Sequence, residues 1–573
     1  FTLQHINLSH HLVMTYPLLN DNNFQNKIME KYSIYKTPRR RPSFTELCFP
    51  KEYTHQLPQT FVSKFIHPKT PYKGLLIFHR IGAGKTCASI LIAMEWVDKR
   101  RVIFIVPASL VTNVYKEFRS GCTGTKYVRV GERKKLDTLD PRDPVYIDLV
   151  DKINERIDED YEIYSFHKYV NLVEQGKMNL KNTLIIVDEV QNIVSETGSF
   201  YQIVLNSFQK SPASTRIVVM SATPIFDKPV ELALTLNLLK PTNILPTGSA
   251  FTSAFLDTDK KGKTIMKNKE LLRQMMSGYI SFSPGAPAIA FPEKIVKLVR
   301  CEMSRFQFEC YKTVEEQEGK PDFKNILKLS NAFFIGSRMI SNVCYPNKRV
   351  NEKGMESFTG SKLRIDKICR YSIKFQKIIV KAKSIKGPAI VYSNFREFGG
   401  LEAFTRVLDY NGYINVNDPD ATDKRYNKKR YGLWTGRETM TDKELSKSIY
   451  NHRDNFDGSM LKFMIISPSG KEGLSLLRTR SIHIMEPYWN SSRLQQVIGR
   501  GIRYCSHKDL PIEERVVEVF LYIAVAPIKN YKTIDEYIYK MMLDKDQILN
   551  KFYDVMQDSA VDKKLFENAK RFL

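Results

Sequence analysis

No stretch of this sequence approaches the roughly 18–20 consecutive apolar residues that a membrane-spanning helix needs, so no membrane association is expected. No secretory signal is visible, and the sequence begins at Phe1 rather than Met, so it reads as part of a longer chain. Cysteine is sparse, at eight residues: Cys48, Cys87, Cys122, Cys301, Cys310, Cys344, Cys369 and Cys505. None forms a C-x-x-C pair and no His/Cys set has zinc spacing. A reduced, intracellular protein without a structural metal is therefore expected. Internal repeats and long low-complexity tracts are absent, which excludes solenoids and linker-like chains. Acid is short as well, with 62 Asp and Glu against 88 Lys and Arg, a net charge of +26. Such an excess favours a polyanionic partner, since each phosphate contact releases counterions; nucleic acid is expected, against the plainer alternative of a basic surface kept for solubility.

A length of 573 residues suits about three to four units of ~150 residues each. A 42% hydrophobic content with 33 Phe and 29 Tyr excludes wholesale disorder. Residues 1–50 read as a basic extension ending in Lys36-Thr37-Pro38-Arg39-Arg40-Arg41-Pro42, where flanking prolines block a helix. That run is equally a phosphate-binding arm or a solvated linker. Residues 51–242 alternate helical patterns with short β-branched runs at Gly74–Phe78, Val102–Val106, Leu184–Val187 and Ile217–Met220. The alternation returns over 387–530 at Ala389–Tyr392, Phe463–Ile466, Ser481–Met485 and Val516–Ile523. Such runs mark parallel sheets covered on both faces, so the expected class is α/β with two parallel-sheet lobes. Residues 243–386 read as an interlobe connection with a helical insertion, and 531–573 as a charged amphipathic helical extension.

The first strand runs into His79-Arg80-Ile81-Gly82-Ala83-Gly84-Lys85-Thr86 and then a helical pattern. Gly82, Ala83 and Gly84 let backbone N–H groups face a phosphate chain at a helix N-terminus. Lys85 is placed for the β- and γ-phosphates of ATP, and the Thr86 hydroxyl for Mg²⁺. The full pattern wants glycine where His79 stands. Leu184–Val187 delivers Asp188 and Glu189 at a strand's C-terminal end, where open α/β sheets bind ligands. Asp188 suits Mg²⁺ through water, and Glu189 suits orienting or deprotonating an attacking water; capping of the next helix is the plainer alternative. Ser221-Ala222-Thr223 follows the next strand with hydroxyls that reach the acidic pair and a nucleic-acid path. In the second lobe Gln496, Gly499, Arg500 and Arg503 share one helical face, so Arg500 and Arg503 can act as arginine fingers across a cleft. A basic helix on nucleic-acid phosphates is the alternative.

The ordered set GxGKT, DExQ, SAT and QxxGRxxR, from about Gln59 to Arg503, resembles the superfamily 2 helicase-like ATPases. Phe78–Thr86, Asp188–Asn192, Ser467–Gly473, Trp489-Asn490, Thr533–Tyr537 and Ala560–Asp562 narrow the resemblance to those of large cytoplasmic DNA viruses. The groups resembled are the poxvirus-type nucleoside triphosphate phosphohydrolase I and the ATPase subunit of the viral early transcription factor. The resemblance implies two RecA-like lobes, a DNA-dependent ATPase serving viral transcription beside RNA polymerase and other viral transcription proteins, and a place in the virion and the host cytoplasm. It implies that Gln59 reads adenine, that Gln191 couples the lobes where many relatives have His, and that Gly473 within GKEGLS senses nucleotide and nucleic acid.

Small residues at strand ends suit sequence-independent phosphate contacts: Pro107 and Ser109, Ser221 and Thr223, Ser393 and Asn394, Ser467 and Ser469. Ordinary turn chemistry is the alternative at each. Asp423–Tyr431 interleaves bases with aromatics and is either a stacking platform or a solvated loop. DNA is favoured over RNA. An unwinding helicase on DNA or RNA, and a structural transcription subunit with a vestigial ATPase, remain as competing functions; intact Lys85, Asp188, Glu189 and Arg503 weigh against the second.

Overall fold

Fifteen short runs form strands in the computed structural model, which describes residues 16–19, 21, 23–80, 82–140, 143–239, 245–260, 262–319, 334–422, 429–470 and 474–572. The strands are β1 (Gly74–His79), β2 (Arg101–Val106), β3 (Glu162–Ser165), β4 (Thr183–Val187), β5 (Arg216–Met220), β6 (Leu256–Thr258), β7 (Thr264–Met266), β8 (Ile280–Ser283), β9 (Glu293–Glu302), β10 (Ala389–Tyr392), β11 (Tyr413–Asn415), β12 (Lys429–Trp434), β13 (Phe463–Ile466), β14 (Ser481–Ile484) and β15 (Val516–Val525). Six helices matter for the site: α1 (Phe44–Cys48), α2 (Leu57–Phe65), α3 (Lys85–Trp96), α4 (Ile335–Asn342), α5 (Ser491–Gly501) and α6 (Ile534–Ser559).

Each lobe is a parallel sheet with helices packed on it, the α/β class expected. The first orders its strands β3-β2-β4-β5-β1-β8 and the second β11-β12-β13-β10-β14-β15-β9; β6 and β7 form a separate antiparallel hairpin. In the first sheet Ile77 sits opposite Met220 and Val187 opposite Val219, so the loops after β1, β4 and β5 emerge at one edge. In the second, Tyr392 pairs with Ile466 and Ile484, which gathers the loops after β10, β13 and β14. All eight expected strands are present, because fully apolar runs have nowhere to go but a sheet covered on both faces.

Other strands carried weaker signals. β8 and β9 fall in the stretch read as helical, yet β8 extends the first sheet beside β1 and β9 pairs with β15 over ten residues. β9 is an edge strand whose Glu and Lys residues break the apolar run, which disguises it. Lys429-Arg430-Tyr431, read as a possible stacking loop, begins β12. The Tyr431 ring is buried and its hydroxyl donates to Asp409 at 2.8 Å, so it offers no platform for a base. Residues 423–428 lie outside the described residues.

The C-terminal extension is helical, and it straddles the lobes. Ile534, Ile538, Met541 and Met542 of α6 belong to the core of the second lobe, while Leu549, Phe552, Val555 and Met556 belong to that of the first. At 26 residues the helix is long enough for this, about 39 Å.

The expectation of wholly reduced cysteines is corrected. Cys48 is bonded to Cys505 and Cys87 to Cys122, with Cα atoms 5.4 and 5.8 Å apart. Pairings separated by 457 and 35 residues leave no local spacing signal, so only the fold reveals them. Cys301, Cys310, Cys344 and Cys369 are free.

Candidate active site

The phosphate-loop segment turns at the end of β1. Gly82 (φ 88°) and Gly84 (φ 61°) lie in the left-handed region, and Gly84 caps α3. A side chain at Gly82 would strike the Phe291 ring, whose nearest atom lies 2.6 Å from the position a Cβ would take. Lys85 Nζ donates to the His79 carbonyl at 3.3 Å, and Thr86 lines the cleft beside it. Ala83 is buried; Ile81 lies outside the described residues.

Gln59 rests on this loop. From α2 its amide donates to the carbonyls of Gly84 at 3.1 Å and Ala83 at 3.4 Å, and its Oε1 accepts from the Gln56 N–H at 2.8 Å. Gln56 in turn donates to the Gly82 carbonyl at 3.3 Å. The sequence reading missed Gln56; its signal was a glutamine three residues before Gln59 with a proline between, a helix-start pattern.

His79 replaces the usual glycine because its side chain points into the lobe rather than at the loop. It is fully buried, and Nε2 meets Ser281 Oγ at 2.9 Å; the Ser281 hydroxyl donates to Asp562, which also accepts from the Phe282 N–H at 2.9 Å. Burial drives His79 down to about 3 and Asp562 up to about 7. The C-terminal segment is thereby anchored beneath the phosphate loop.

Asp188 follows β4, and its Oδ1 accepts from the Glu189 N–H at 2.8 Å. Glu189 adopts a left-handed backbone (φ 47°), a strained state for a non-glycine residue that costs on the order of 1–3 kcal/mol. A short relay leads away from its carboxylate. Gln191 donates to Glu189 Oε2 at 2.6 Å, Ser221 donates to Gln191 Oε1 at 2.6 Å, and the Thr223 N–H donates to Ser221 Oγ at 2.9 Å.

The opposite wall is α5 with the segment just after it: Gln496, Gly499 and Arg500 lie on the helix as expected, but Arg503 does not, because the chain leaves the helix at Ile502. Gln496, Gly499, Arg500 and Arg503 face the same cleft, of about 1040 Å³, as Gln59, Gly82, Gly84, Lys85, Thr86, Asp188, Glu189 and Gln191. Arg500 Nη1 donates to the Leu474 carbonyl at 3.4 Å, and Arg503 Nε to the Gly499 carbonyl at 3.0 Å. Burial, and then repulsion from Arg500, bring the Arg503 guanidinium down to about 9, and no carboxylate pairs with it among the described residues. Gly473 lies outside the described residues.

The basic extension forms the outer rim of the cleft at Thr37, Pro38, Arg40 and Pro42. Arg40 pairs with Glu46 at 2.8 Å on the surface. The Thr37 N–H donates to the Leu565 carbonyl at 2.9 Å, and α1 docks on the second lobe through Tyr504 Oη donating to the Leu47 carbonyl at 2.7 Å, besides the Cys48–Cys505 bond.

Residues assigned to a nucleic-acid path divide in two. Ser109 is exposed, and Asn394 and Thr223 are half-buried. Pro107, Ser221, Ser393 and Ser467 are buried, so they shape loops rather than meet a strand. Ser221 serves the relay above, and Ser393 donates to the buried Glu486 at 2.9 Å. Small size at a strand end reads alike whether a hydroxyl faces solvent or the core. The side chain of Ser469 lies outside the description.

The SNF2-related domain matches residues 35–370. A protein of Acanthamoeba polyphaga mimivirus named as an ATP-dependent RNA helicase is 44% identical over 564 residues, 97% of each chain. An African swine fever virus protein named as a termination factor NPH-I homolog is 26% identical over 561 residues, 86% of this chain and 76% of its own. A protein of Invertebrate iridescent virus 3 named as a helicase is 26% identical over 577 residues, 94% of this chain and 55% of its own.

Proposed function

We propose a specific activity for this chain, which belongs to the SNF2-related domain family and is a helicase-like ATPase with relatives in large DNA viruses: it is a nucleic-acid-dependent ATPase and translocase that prefers DNA to RNA and acts in viral transcription. One observation carries the reading. Arg500 and Arg503 face Lys85, Thr86, Asp188 and Glu189 across a single cleft, and burial beside Arg500 leaves the Arg503 charge in need of an anion. A triphosphate supplies it.

In this reading the N–H groups at Gly82–Lys85 and the Lys85 ammonium hold the β- and γ-phosphates, with Gln59 and Gln56 on the base side. Thr86 and Asp188 present oxygen donors only to the cleft, which fits a hard divalent cation; they would hold Mg²⁺, which neutralises phosphate charge. Glu189 orients the attacking water, its strained backbone fixing the direction of the carboxylate. Arg500 and Arg503 meet the charge that develops on the γ-phosphoryl oxygens. Closure of the lobes on ATP and their release after hydrolysis move the protein along a strand, and the relay from Glu189 through Gln191 to Ser221 links the two events. The net charge of +26 supports a phosphate-backbone partner, and the termination-factor name of one relative supports a role in transcription. The same reading places the protein beside viral RNA polymerase, in the virion and the host cytoplasm.

A second reading, ATP-driven unwinding of RNA, is favoured by the name of the 44%-identical relative. Steady-state ATP hydrolysis without polymer and with single-stranded DNA, double-stranded DNA or RNA separates the two, with K85A as control. Stimulation by DNA and little by RNA supports the proposal. Stimulation by RNA selects the second reading, and none by any polymer removes both.

A further inference from the structure

Arg338 of α4 is 2% exposed, and its Nε and Nη2 have no hydrogen-bond partner among the described residues. A guanidinium taken out of water is costly unless something compensates it, and here burial lowers its proton affinity. The buried Glu486 carboxylate offsets part of that cost through its charge, and the direct contacts of the guanidinium are aromatic. The guanidinium carbon lies 5.0 Å from the Phe395 ring centroid and 5.0 Å from that of Trp489. The stack continues: Trp489 lies 3.8 Å from Tyr488, and Arg493 sits 4.1 Å over Tyr488. Arg493 Nη1 then donates to Asn394 Oδ1 at 2.7 Å, which closes the ring back on the loop after β10.

The stack joins three elements of different origin. Phe395 and Asn394 belong to the loop after β10. Trp489 directly precedes Asn490, which caps α5 by accepting from the Arg493 N–H at 3.1 Å. Arg338 comes from the segment between β9 and β10. The same helix makes a second attachment, since Asn342 Nδ2 donates to Glu486 at 2.9 Å, and Glu486 also accepts from Ser393 Oγ and the Asn394 N–H. Asn342 in turn accepts from Lys374 at 2.9 Å, and Lys374 pairs with Asp535 at the start of α6 at 2.6 Å, both fully buried. The loop after β10 and the first turn of α5 therefore cannot move independently. At 11 residues, about 16 Å, α5 is a short rigid lever with Arg500 in its last turn and Arg503 two residues beyond its end.

We propose that Arg338 is a positioning residue: through Phe395 and Trp489 it transmits the seating of a nucleic-acid strand on the Asn394 loop to the arginines at the end of α5. The inference rests on the nucleic-acid-dependent ATPase reading given above. A guanidinium suits two rings at once because it is planar and delocalised; lysine keeps the charge but not the plane, and methionine keeps the length but neither.

The test compares wild type, R338M and R338K for ATP KM, for kcat without polymer, and for kcat across a titration with DNA and RNA oligonucleotides. Trp489 emission is followed in parallel, isolated by subtracting W489F, since the protein has three tryptophans. In R338M, ATP KM and the polymer-free kcat stay within about twofold of wild type. The stimulated kcat falls by about threefold to thirtyfold, the range for residues that modulate coupling, and the oligonucleotide-induced change in Trp489 emission is lost. R338K shows the same split in smaller measure and carries the test if R338M does not fold. Parallel losses with and without polymer make Arg338 merely structural and overturn the inference, as does unchanged stimulation. A wild type that no polynucleotide stimulates removes the functional reading itself, and this inference with it.

Discussion

Cys505, two residues beyond Arg503, is bonded to Cys48 on α1, with their Cα atoms 5.4 Å apart. The bond ties the extension that leads into Gln59 to the end of the segment that carries Arg500 and Arg503, next to Leu47 and Tyr504, which line the cleft. Closing a loop of this length stabilises a chain by about 2–4 kcal/mol, chiefly by restricting the unfolded state. C48S should therefore melt several degrees below wild type without reductant and together with it in excess dithiothreitol. Coincident melting under both conditions, or free Cys48 in a non-reducing peptide map, would refute the tether.

Arg503→Ala should lower turnover by about 10³-fold or more while ATP binding persists, as for loss of an arginine finger. ATP affinity measured by fluorescent-analogue displacement, alongside phosphate release, separates the two effects. Wild-type turnover in R503A would show that the residue faces the cleft without acting in it.

Glu189→Gln keeps an acceptor for the hydrogen bond from Gln191 and removes the proposed base. Turnover should fall by about 10²–10⁴-fold, the worth of general acid–base catalysis, with ATP trapped in the cleft. Filter binding of radiolabelled ATP with product analysis checks this; prompt release of labelled phosphate would place the base elsewhere.

Ser221→Ala breaks the relay at its second link and strands the Gln191 oxygen. Gln191 is half-buried and lines the cleft, so water offsets part of the about 1–3 kcal/mol that a fully buried unsatisfied acceptor costs. The cost should fall on polymer-stimulated turnover, with ATP KM nearly unchanged. A rise in KM with unchanged kcat would mean that the relay serves nucleotide binding alone.

Asp562 and His79 give opposite pH signatures. The folded carboxyl of Asp562 titrates at about 7 against an ordinary 3.8, so the folded state holds a proton that the unfolded chain releases, and this contribution is lost as pH rises from about 4 to 7. His79 titrates at about 3 against 6.5, so its contribution grows as pH rises from about 3 to 6.5. The two slopes oppose one another in wild type. D562N removes only the first, so its unfolding midpoint relative to wild type should climb between pH 4 and 7; parallel midpoints across that window would contradict the buried assignment.

The strands that carry the phosphate loop, the acidic pair and the loops after β10 and β13 were legible in the sequence, because a fully buried parallel strand leaves an uninterrupted apolar run. So were the residues that line the cleft, since the motifs place Lys85, Asp188, Glu189 and Arg503 at strand or helix ends with little freedom to go elsewhere. The burial of Ser221, Ser393 and Ser467 was not legible: a hydroxyl residue after a strand looks the same whether a carboxylate, an amide or solvent receives its proton.

By itself the sequence determined the two parallel sheets and the facing walls of the cleft, because periodicity and glycine placement act over a few residues. Tertiary structure alone decided that β8 and β9 complete the sheets, that His79 is answered by Asp562 from the far end of the chain, that Cys48 meets Cys505, and that Arg338 meets both Phe395 and Trp489. Each of these joins residues far apart in the chain, and such pairs meet only after packing brings them within a few ångströms; no local pattern encodes that distance.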